Sequence, residues 1–516
     1  MDVVNTANIA PREANQYLQQ EELDQEPFDQ TAEEDVLTRW LPSWMVVRIA
    51  RWNLPAPLAL AVIAVALFAA VLAPVLAANR MLGLLIAGGL LGIAGVIIVA
   101  KWRVIGLAAL PIAALMVPFA IGTGSETGIN AAMLLLGLLI GLWLMDMVAR
   151  RRQIRLLTYR PVIAALVFGV VAIVAFGFGQ LPWYPTASAP LTAQIGGLLT
   201  FILSIGAFLL AAHQIRTLKV LEIMTWVFLG VGFLFFAFRL TPASLSLIER
   251  IFVRQGVLGA SLYVWLVALA FSQALFNKKL ANGWRVILGL LVLMIFSVNM
   301  NSDNRFWISG WLPAIVTLIA IMVLARPDLG LFAITGGIIV LLLNTNIISG
   351  LTTEGDNTYS TITRLAAWQI IAEIVKVNPL FGVGMANYYW YTPLFPIMGY
   401  TISFNSHNNY IDILAQTGLV GLACFLWLFA ELWLLGWRLR NQVPEGFPNA
   451  YVLGVLGGLV GTVIAAGLGD WVIPFVYNIG LDGIRASMFI WIFMGGLVAL
   501  ANMYHFGNRN DEARPG

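Results

Sequence analysis

The sequence predicts an all-α, polytopic membrane protein with about 12–14 transmembrane helices and one long extracytoplasmic loop that carries an amphipathic helix. Hydrophobic residues make up 60% of the 516-residue chain, charged residues only 11%, and the mean hydropathy is +0.86. Water-soluble proteins carry about 25% charged residues, so this chain has too little charge to cover itself for water. Apolar runs of about 17–25 residues, the length that crosses a bilayer, recur along the chain.

Each apolar run is predicted to form one membrane span, and most of the polar connections between the runs are short. No period of 20 to 50 residues repeats, which argues against a solenoid. The predicted spans are 54–77, 81–100, 104–121, 130–148, 161–179, 195–212, 219–238, 257–275, 286–300, 311–325, 330–346, 411–436, 451–471 and 486–503.

The placement of positive charge predicts that both termini are cytoplasmic. In this orientation the inner side holds basic loops such as "ARRRQIRLLTYR" and "FNKKLANGWR" and most of the 29 Lys and Arg residues. Cytoplasmic loops are enriched in Lys and Arg, so the pattern fits the positive-inside rule. The cations left on the outer side are isolated: Arg80, Arg239, Arg250, Arg254, Arg305, Arg364, Lys376 and Arg485.

One outer loop, 347–410, is much longer than the other connections. Within it, apolar residues recur at three- and four-residue spacing, which predicts an amphipathic helix that lies on the membrane and roofs a cavity. Pro379 and the glycines of "FGVG" end the helix. The apolar positions are Ile362, Leu365, Trp368, Ile371 and Val375.

His407 is the candidate catalytic residue. The chain has three histidines, and on the predicted topology His213 and His505 face the cytoplasm while His407 lies outside, in "NSHNNY". Imidazole is the side chain best suited to take and return a proton near neutral pH. A structural role is the common fate of a lone histidine, but the polar company of His407 favours a functional one.

Outer arginines are the candidate anion-binding residues. The positive-inside rule disfavours cations on this side, and a guanidinium pairs with pyrophosphate through forked hydrogen bonds. The alternative for each one alone is that its side chain reaches to the lipid headgroups. The four candidates are Arg250, Arg254, Arg305 and Arg364.

Other reaction classes lack their motifs. The sequence contains no H-E-x-x-H, no P-loop and no G-x-S-x-G, which argues against a zinc hydrolase, an ATP-driven pump and a serine hydrolase. No metal, no cofactor and no nucleic-acid partner is predicted.

The segment "HNNYIDILAQTGLVG" resembles the signature of the O-antigen ligase/O-antigen polymerase superfamily of membrane glycosyltransferases: His407-Asn408, then Gly418-x-x-Gly421. Upstream, "TRLAAWQIIAEIVKVNPLFGVGMANYYW" is similar to the outer loop of that family. "VRQGVLGAS" and "SDNRFWISGW" are similar to the two family segments that present arginines outside. The resemblance covers roughly residues 250 to 435, and Gln416 stands where the family usually has an acidic residue.

The resemblance implies an enzyme of the bacterial inner membrane whose active site is extracytoplasmic. Its donor would be a glycan on a polyprenyl pyrophosphate, and its acceptor a hydroxyl of a glycolipid, glycan or protein. The transfer would need no metal and would invert the anomeric centre. His407 would be the general base, and the residues predicted to bind substrate are Arg254, Arg305, Arg364, Asn408, Tyr410 and Asp470.

The resemblance also implies a division of the chain, with a catalytic region at 251–436 that includes the loop 347–410. The other predicted parts are a disordered acidic cytoplasmic tail at 1–36, an interfacial segment at 37–53, membrane helices at 54–250 and 437–503, and a cytoplasmic tail at 504–516.

Several functions stay open from the sequence. Ligation to a lipid acceptor, polymerisation of repeat units and O-glycosylation of protein share these motifs and differ in the acceptor. Outside this class, a transporter or lipid flippase would depend on acids within the spans, such as Glu222 or Asp146. A structural scaffold would not explain the outer histidine and arginines.

Overall fold

The computed structural model of the chain describes residues 95–122, 128–150, 152–241, 244–257, 259–300, 307–343 and 356–504. The predicted segments 1–36, 37–53, 54–77 and most of 81–100, with the tail from 505 onward, lie outside the described residues. The chain divides into two compact units. The first is residues 1–52 with Asp146–Ile154, where Asp146–Arg150 is a π-helical turn. The second is Asn53–Met145 with Arg155–Gly516.

In its described residues, the second unit is almost wholly helical, with one two-stranded antiparallel sheet between β1 (Ala120–Gly122) and β2 (Gly128–Asn130). The helices are α1 (Arg103–Met116), α2 (Ala131–Met145), α3 (Arg160–Phe178), α4 (Leu191–Gln214), α5 (Leu218–Arg239), α6 (Leu245–Ile251), α7 (Arg254–Val257), α8 (Ala260–Phe276), α9 (Asn282–Met300), α10 (Ile308–Ala325), α11 (Pro327–Leu343), α12 (Asp356–Val375), α13 (Asn387–Tyr391), α14 (Asn409–Leu439), α15 (Phe447–Leu468) and α16 (Ile484–Met503).

Among the described residues, nine helical segments are long and apolar enough to cross a membrane. They correspond to nine of the predicted spans, and the shorter helices α1, α8 and α11 lie at three more. The prediction of an all-α polytopic membrane protein is therefore confirmed.

The centre of the bundle is built from helices that are apolar all round. In the span that includes α16, every residue of the most apolar stretch is buried. Helix α8 is buried along nearly its full length. Glycines on α15 let neighbours approach closely: a Cβ at Gly461 would come within 2.8 Å of the Pro313 carbonyl oxygen, and one at Gly454 within 2.9 Å of the Ala268 oxygen. Small residues at such contacts bring helix backbones together, and the resulting van der Waals packing is one of the forces that associate helices in lipid.

The helix of the long loop is found at α12, where the sequence predicts it. Its apolar face is divided between two environments. Ile371 and Val375 are buried in the protein, whereas Ile362 and Leu365 are about half exposed. Of the apolar positions whose burial is described, those towards the C-terminus of α12 are thus the ones packed against protein.

Helix α14 is broken at Gly418, whose backbone has φ +69° and ψ −171°. The turn after α12 fills the break. The N–H groups of Leu419 and Val420 donate to the carbonyls of Pro379 (2.8 Å) and Leu380 (3.1 Å). The N–H of Val383 donates to the Ala415 carbonyl at 2.9 Å. The chain that comes closest to Gly418 is the backbone of this loop, at Leu380 and Phe381.

Substituting Gly418 with Ala should destabilise the fold. A Cβ there would collide with the Leu380 carbonyl, and a positive φ costs an L-residue about 1–2 kcal/mol by itself. We expect Gly418→Ala to lower the midpoint of thermal unfolding in detergent markedly. Gly137→Ala is the matched control, because a Cβ there meets nothing within 4 Å. Equal midpoints for the two variants would contradict the role given to the break.

Candidate active site

His407 lies in a short turn that is fixed by the polar side chains on either side of it. The Ser406 hydroxyl accepts a hydrogen bond from the Asn408 N–H at 2.9 Å. The Asn408 Oδ1 caps α14 by accepting from the N–H groups of Tyr410 (2.9 Å) and Ile411 (3.4 Å). Between these residues His407 has φ +49°, a conformation that L-residues seldom adopt. The turn therefore holds His407 in a strained backbone geometry at the start of α14.

A buried polar network supports this turn from below. The Ser406 hydroxyl (2.7 Å) and the Tyr388 hydroxyl (2.6 Å) both lie within hydrogen-bonding distance of the Asp412 Oδ1. The indole of Trp368 donates to the Ser406 carbonyl at 2.7 Å. Burial and the adjacent Asp412 hold the pKa of Tyr388 well above its ordinary value, so its hydroxyl stays a donor. The network joins α12, α13 and α14 directly beneath His407.

His407 and Arg364 line one cavity of about 320 Å³. Tyr389, Asn405 and Tyr400 lie in the same wall. The Arg364 Nε is buried and has no hydrogen-bond partner among the described residues. A buried guanidinium nitrogen without a partner is costly, so the cavity is suited to a ligand that accepts hydrogen bonds, such as a phosphate oxygen.

Burial and, secondly, the positive charge of Arg364 lower the pKa of His407 below its ordinary value of 6.5. The imidazole is consequently neutral at neutral pH. Only a neutral imidazole has a free lone pair, so His407 is in the form that accepts a proton.

Asp470 lies behind His407, separated from it by one side chain. The Asn478 Nδ2 is 3.2 Å from the His407 Nδ1 and 2.5 Å from the Asp470 Oδ1. The Phe475 N–H donates to the Asp470 Oδ2 at 2.9 Å. Asp470 is 1% exposed, and its burial raises the pKa of this carboxyl above the ordinary value. The site thus contains a chain of contacts from a buried acid through an amide to the imidazole.

Comparison with protein-family models supports what the site suggests. Residues 252–426 match the family model described as O-antigen ligase. These residues belong to the O-antigen ligase family. The match covers helices α7 to α13 and most of α14, and it contains both His407 and Arg364. No curated protein matches the chain.

The structure brings together only some of the residues that the sequence predicts to bind substrate. Arg364 shares the cavity with His407, and Asp470 reaches His407 through Asn478. Arg254 is exposed and is not among the residues that line this cavity. Arg250 is likewise exposed, and Arg305 lies outside the described residues.

Asn408 and Tyr410 both make contacts that have a structural explanation. The Asn408 Oδ1 caps α14. The Tyr410 hydroxyl donates to the Val463 carbonyl at 2.7 Å, and its ring packs edge-on against Phe425 at 6.1 Å. Neither residue lines the cavity, so their predicted roles in binding substrate stay predictions.

Gln416, which replaces an acid of the family pattern, also has a structural explanation. Its Oε1 accepts from the Ala386 N–H, and its Nε2 donates to the Asp412 carbonyl, both at 3.2 Å. A carboxylate would keep the first bond and lose the second. The amide thus ties α14 to the residue before α13, where Ala386 has φ +64°.

Sequence reasoning missed Asn478, Tyr388 and Ser406. Asn478 follows α15 in an irregular loop, where no spacing rule relates it to His407. Ser406 adjoins His407 and was available as a signal, because a serine two residues from an Asx cap often bonds the local backbone. No group of three or more His, Cys, Asp or Glu that could hold a metal ion occurs in the part of the chain that the structure describes.

The Tyr388 hydroxyl should matter for stability. Tyr388→Phe removes a donor to Asp412 and the acceptor of the Ser406 N–H, a bond of 3.3 Å. Leaving such buried groups unpaired costs about 1–3 kcal/mol, so the midpoint of thermal unfolding should fall. Tyr159→Phe, at a half-buried position before α3, is the control and should change little. An unchanged midpoint for Tyr388→Phe would mean that water or a rearrangement replaces the hydroxyl.

Proposed function

We propose that this protein is a membrane glycosyltransferase that moves a glycan from a polyprenyl-pyrophosphate donor to an acceptor hydroxyl at the extracytoplasmic face, with His407 as general base. The observation that carries the proposal is the cavity shared by His407 and Arg364, within the residues that match the O-antigen ligase family. One group is suited to accept a proton and the other to bind an anion. These are the two functions that a glycosyl transfer from a pyrophosphate requires.

The proposed reaction is a single displacement. The acceptor oxygen attacks the anomeric carbon, its proton passes to the Nε2 of His407, and the bond from the anomeric carbon to the pyrophosphate oxygen breaks. Polyprenyl pyrophosphate leaves with the electron pair, and the anomeric configuration inverts. Arg364 stabilises the charge that grows on the departing oxygen, while proton transfer to a positioned base contributes about 10²–10⁴-fold in rate.

Aromatic residues beside the cavity favour a carbohydrate acceptor. Tyr389 lines the cavity, and its ring stacks on Tyr477 at 4.5 Å and 16°. The exposed Trp390 donates its indole N–H to the Tyr477 hydroxyl at 2.7 Å. Rigid aromatic faces with polar edges suit a sugar ring, which has apolar C–H faces and a hydroxyl rim. We therefore place ligation to a glycolipid and glycan polymerisation ahead of protein O-glycosylation.

The proposed location is the bacterial inner membrane, with cytoplasmic termini and the His407 side of the bundle outside. The charge distribution in the sequence supports this orientation. The donor would enter from the bilayer, where the apolar surface near the cavity offers contact to its lipid chain. Ile362, Leu365 and Ile402 are each about half exposed there.

Replacing His407 with Gln should abolish transfer. Full-length protein in lipid nanodiscs, given a polyprenyl-pyrophosphate-linked glycan and a glycolipid acceptor, should form product, and His407→Gln should lower the rate by about 10²–10⁴-fold. His505→Gln is the matched control, because it makes the same change in the predicted cytoplasmic tail. Product from His407→Gln at the wild-type rate would remove His407 as the base, whereas a wild-type protein that forms no product would bring transport back as the leading alternative.

Arg364 should set the lower pH limit of activity. A base must be neutral, so the rate is present above the pKa of His407 and is lost as the pH falls through it. The charge of Arg364 lowers that pKa, so Arg364→Gln should move the acidic limb of the rate profile to higher pH. It should also raise the donor KM by about tenfold or more, because a charged hydrogen-bond partner is lost.

Arg364→Lys separates these two effects. It keeps the positive charge, so the acidic limb should stay near that of the wild type, while the loss of the planar fork should still raise the donor KM. Identical acidic limbs for all three proteins would show that Arg364 does not act on His407 electrostatically.

A further inference from the structure

Asn478 holds the imidazole of His407 from the side away from the reaction. Its Nδ2 lies 3.2 Å from the His407 Nδ1 and 2.5 Å from the Asp470 Oδ1. With Nδ1 occupied in this way, Nε2 is the ring nitrogen left for the cavity that His407 lines. The amide therefore touches both the proposed base and a buried acid without lining the cavity itself.

The amide has two ends of nearly equal shape, and each end dictates a different tautomer. If Nδ2 faces both neighbours, it donates one N–H to Asp470 and one to the His407 Nδ1, as placed in the structure. A neutral His407 then carries its proton on Nε2 and cannot accept another there. If Oδ1 faces both neighbours, it accepts from the His407 Nδ1–H, and Nε2 is free to act as a base.

The second orientation requires a protonated Asp470, because an amide oxygen cannot face a carboxylate oxygen at this distance without a proton between them. The surroundings of Asp470 favour that form. The residue is buried, Asp412 and Tyr388 are its titratable neighbours, and the cation of the site, Arg364, faces His407. A buried carboxyl near a second carboxyl is easier to protonate than an exposed one.

We propose that Asn478 is a positioning residue for His407, and that protonated Asp470 turns the Asn478 amide so that its oxygen holds the His407 Nδ1–H and leaves Nε2 free. The proposal rests on the general-base role proposed for His407. In the reaction, Nε2 takes the acceptor proton while Nδ1–H keeps its bond to the amide oxygen. Asp470 keeps its own proton, and the imidazolium is stabilised by a neutral acceptor.

The pH profile follows from this arrangement. Activity needs a neutral His407, so it falls on the acidic side. It also needs a protonated Asp470, so it falls again as the pH rises through the pKa of that carboxyl. The wild-type rate should be bell-shaped, and the alkaline limb should belong to Asp470.

Two substitutions test the proposal in the nanodisc assay. In Asp470→Asn the new amide can donate to the Asn478 oxygen and still accept from the Phe475 N–H, so it imitates the protonated acid. We expect the alkaline limb of the rate profile to disappear, because this side chain has no proton to lose. Asn478→Leu removes the amide at similar volume and should lower kcat by about 10- to 100-fold. Gln369→Leu makes the matched change at an exposed position of α12 and should be neutral.

Each failure has a separate meaning. If Asp470→Asn loses as much activity as Asn478→Leu, the ionised carboxylate is required and the proposal is overturned. If Asn478→Leu keeps the wild-type kcat, the amide has no positioning role. If instead His407→Gln is active in the same assay, the general-base role proposed for His407 has failed, and the inference fails with it.

The tautomer can be read without activity. In full-length protein with ¹⁵N-labelled histidine in nanodiscs, the His407 signals are those that disappear in His407→Gln. At mildly acidic pH, below the pKa of about 6 to which burial raises Asp470, neutral His407 in the wild type and in Asp470→Asn should carry its proton on Nδ1, and Asn478→Leu should lose that preference. A proton on Nε2 of the wild type at that pH overturns the proposal whether or not the variants turn over.

Discussion

The site depends on the break in α14. A continuous helix would use the Ala415 carbonyl to bind the Leu419 N–H, but here that carbonyl accepts from Val383 and the Leu419 N–H donates to Pro379. Unsatisfied backbone groups cost several kcal/mol in lipid, so the loop and the broken helix each satisfy backbone groups that the other would leave unpaired. Because this loop directly follows α12, the exchange of bonds fixes Arg364 on α12 relative to His407 at the start of α14.

Hydrogen bonds on both sides of His407 hold its backbone in a strained conformation. The φ of +49° is sustained by the Asn408 cap on one side and on the other by Ser406, which is bound through its hydroxyl, N–H and carbonyl. A buried polar network stabilises only when its members are satisfied, and this one joins three helices. The same bonds that offset the strain therefore determine where the imidazole points.

The sequence predicts those parts of the fold that depend on local patterns. Apolar runs locate the helices since a bilayer imposes their length, and the His407 motif and the helix around Arg364 follow from short-range spacing. Contacts between distant segments follow no such rule. The charge pattern groups the outer arginines but does not indicate how far each lies from His407. In the structure Arg254 is exposed, whereas Arg364 lines the cavity. Asn478 reaches His407 only because an irregular loop folds back over α14.

In the proposed catalytic arrangement, the basicity of His407 depends on whether Arg364 has bound the donor pyrophosphate. Burial and the charge of Arg364 lower the pKa of His407, which keeps the imidazole neutral but also makes it a weaker base. A bound pyrophosphate would offset that charge, and the basicity of His407 would then rise. In the proposed reaction the anion that Arg364 binds is the one that must leave, so His407 gains basicity when the donor is in place. Proton abstraction from the acceptor is thereby linked to the presence of the leaving group.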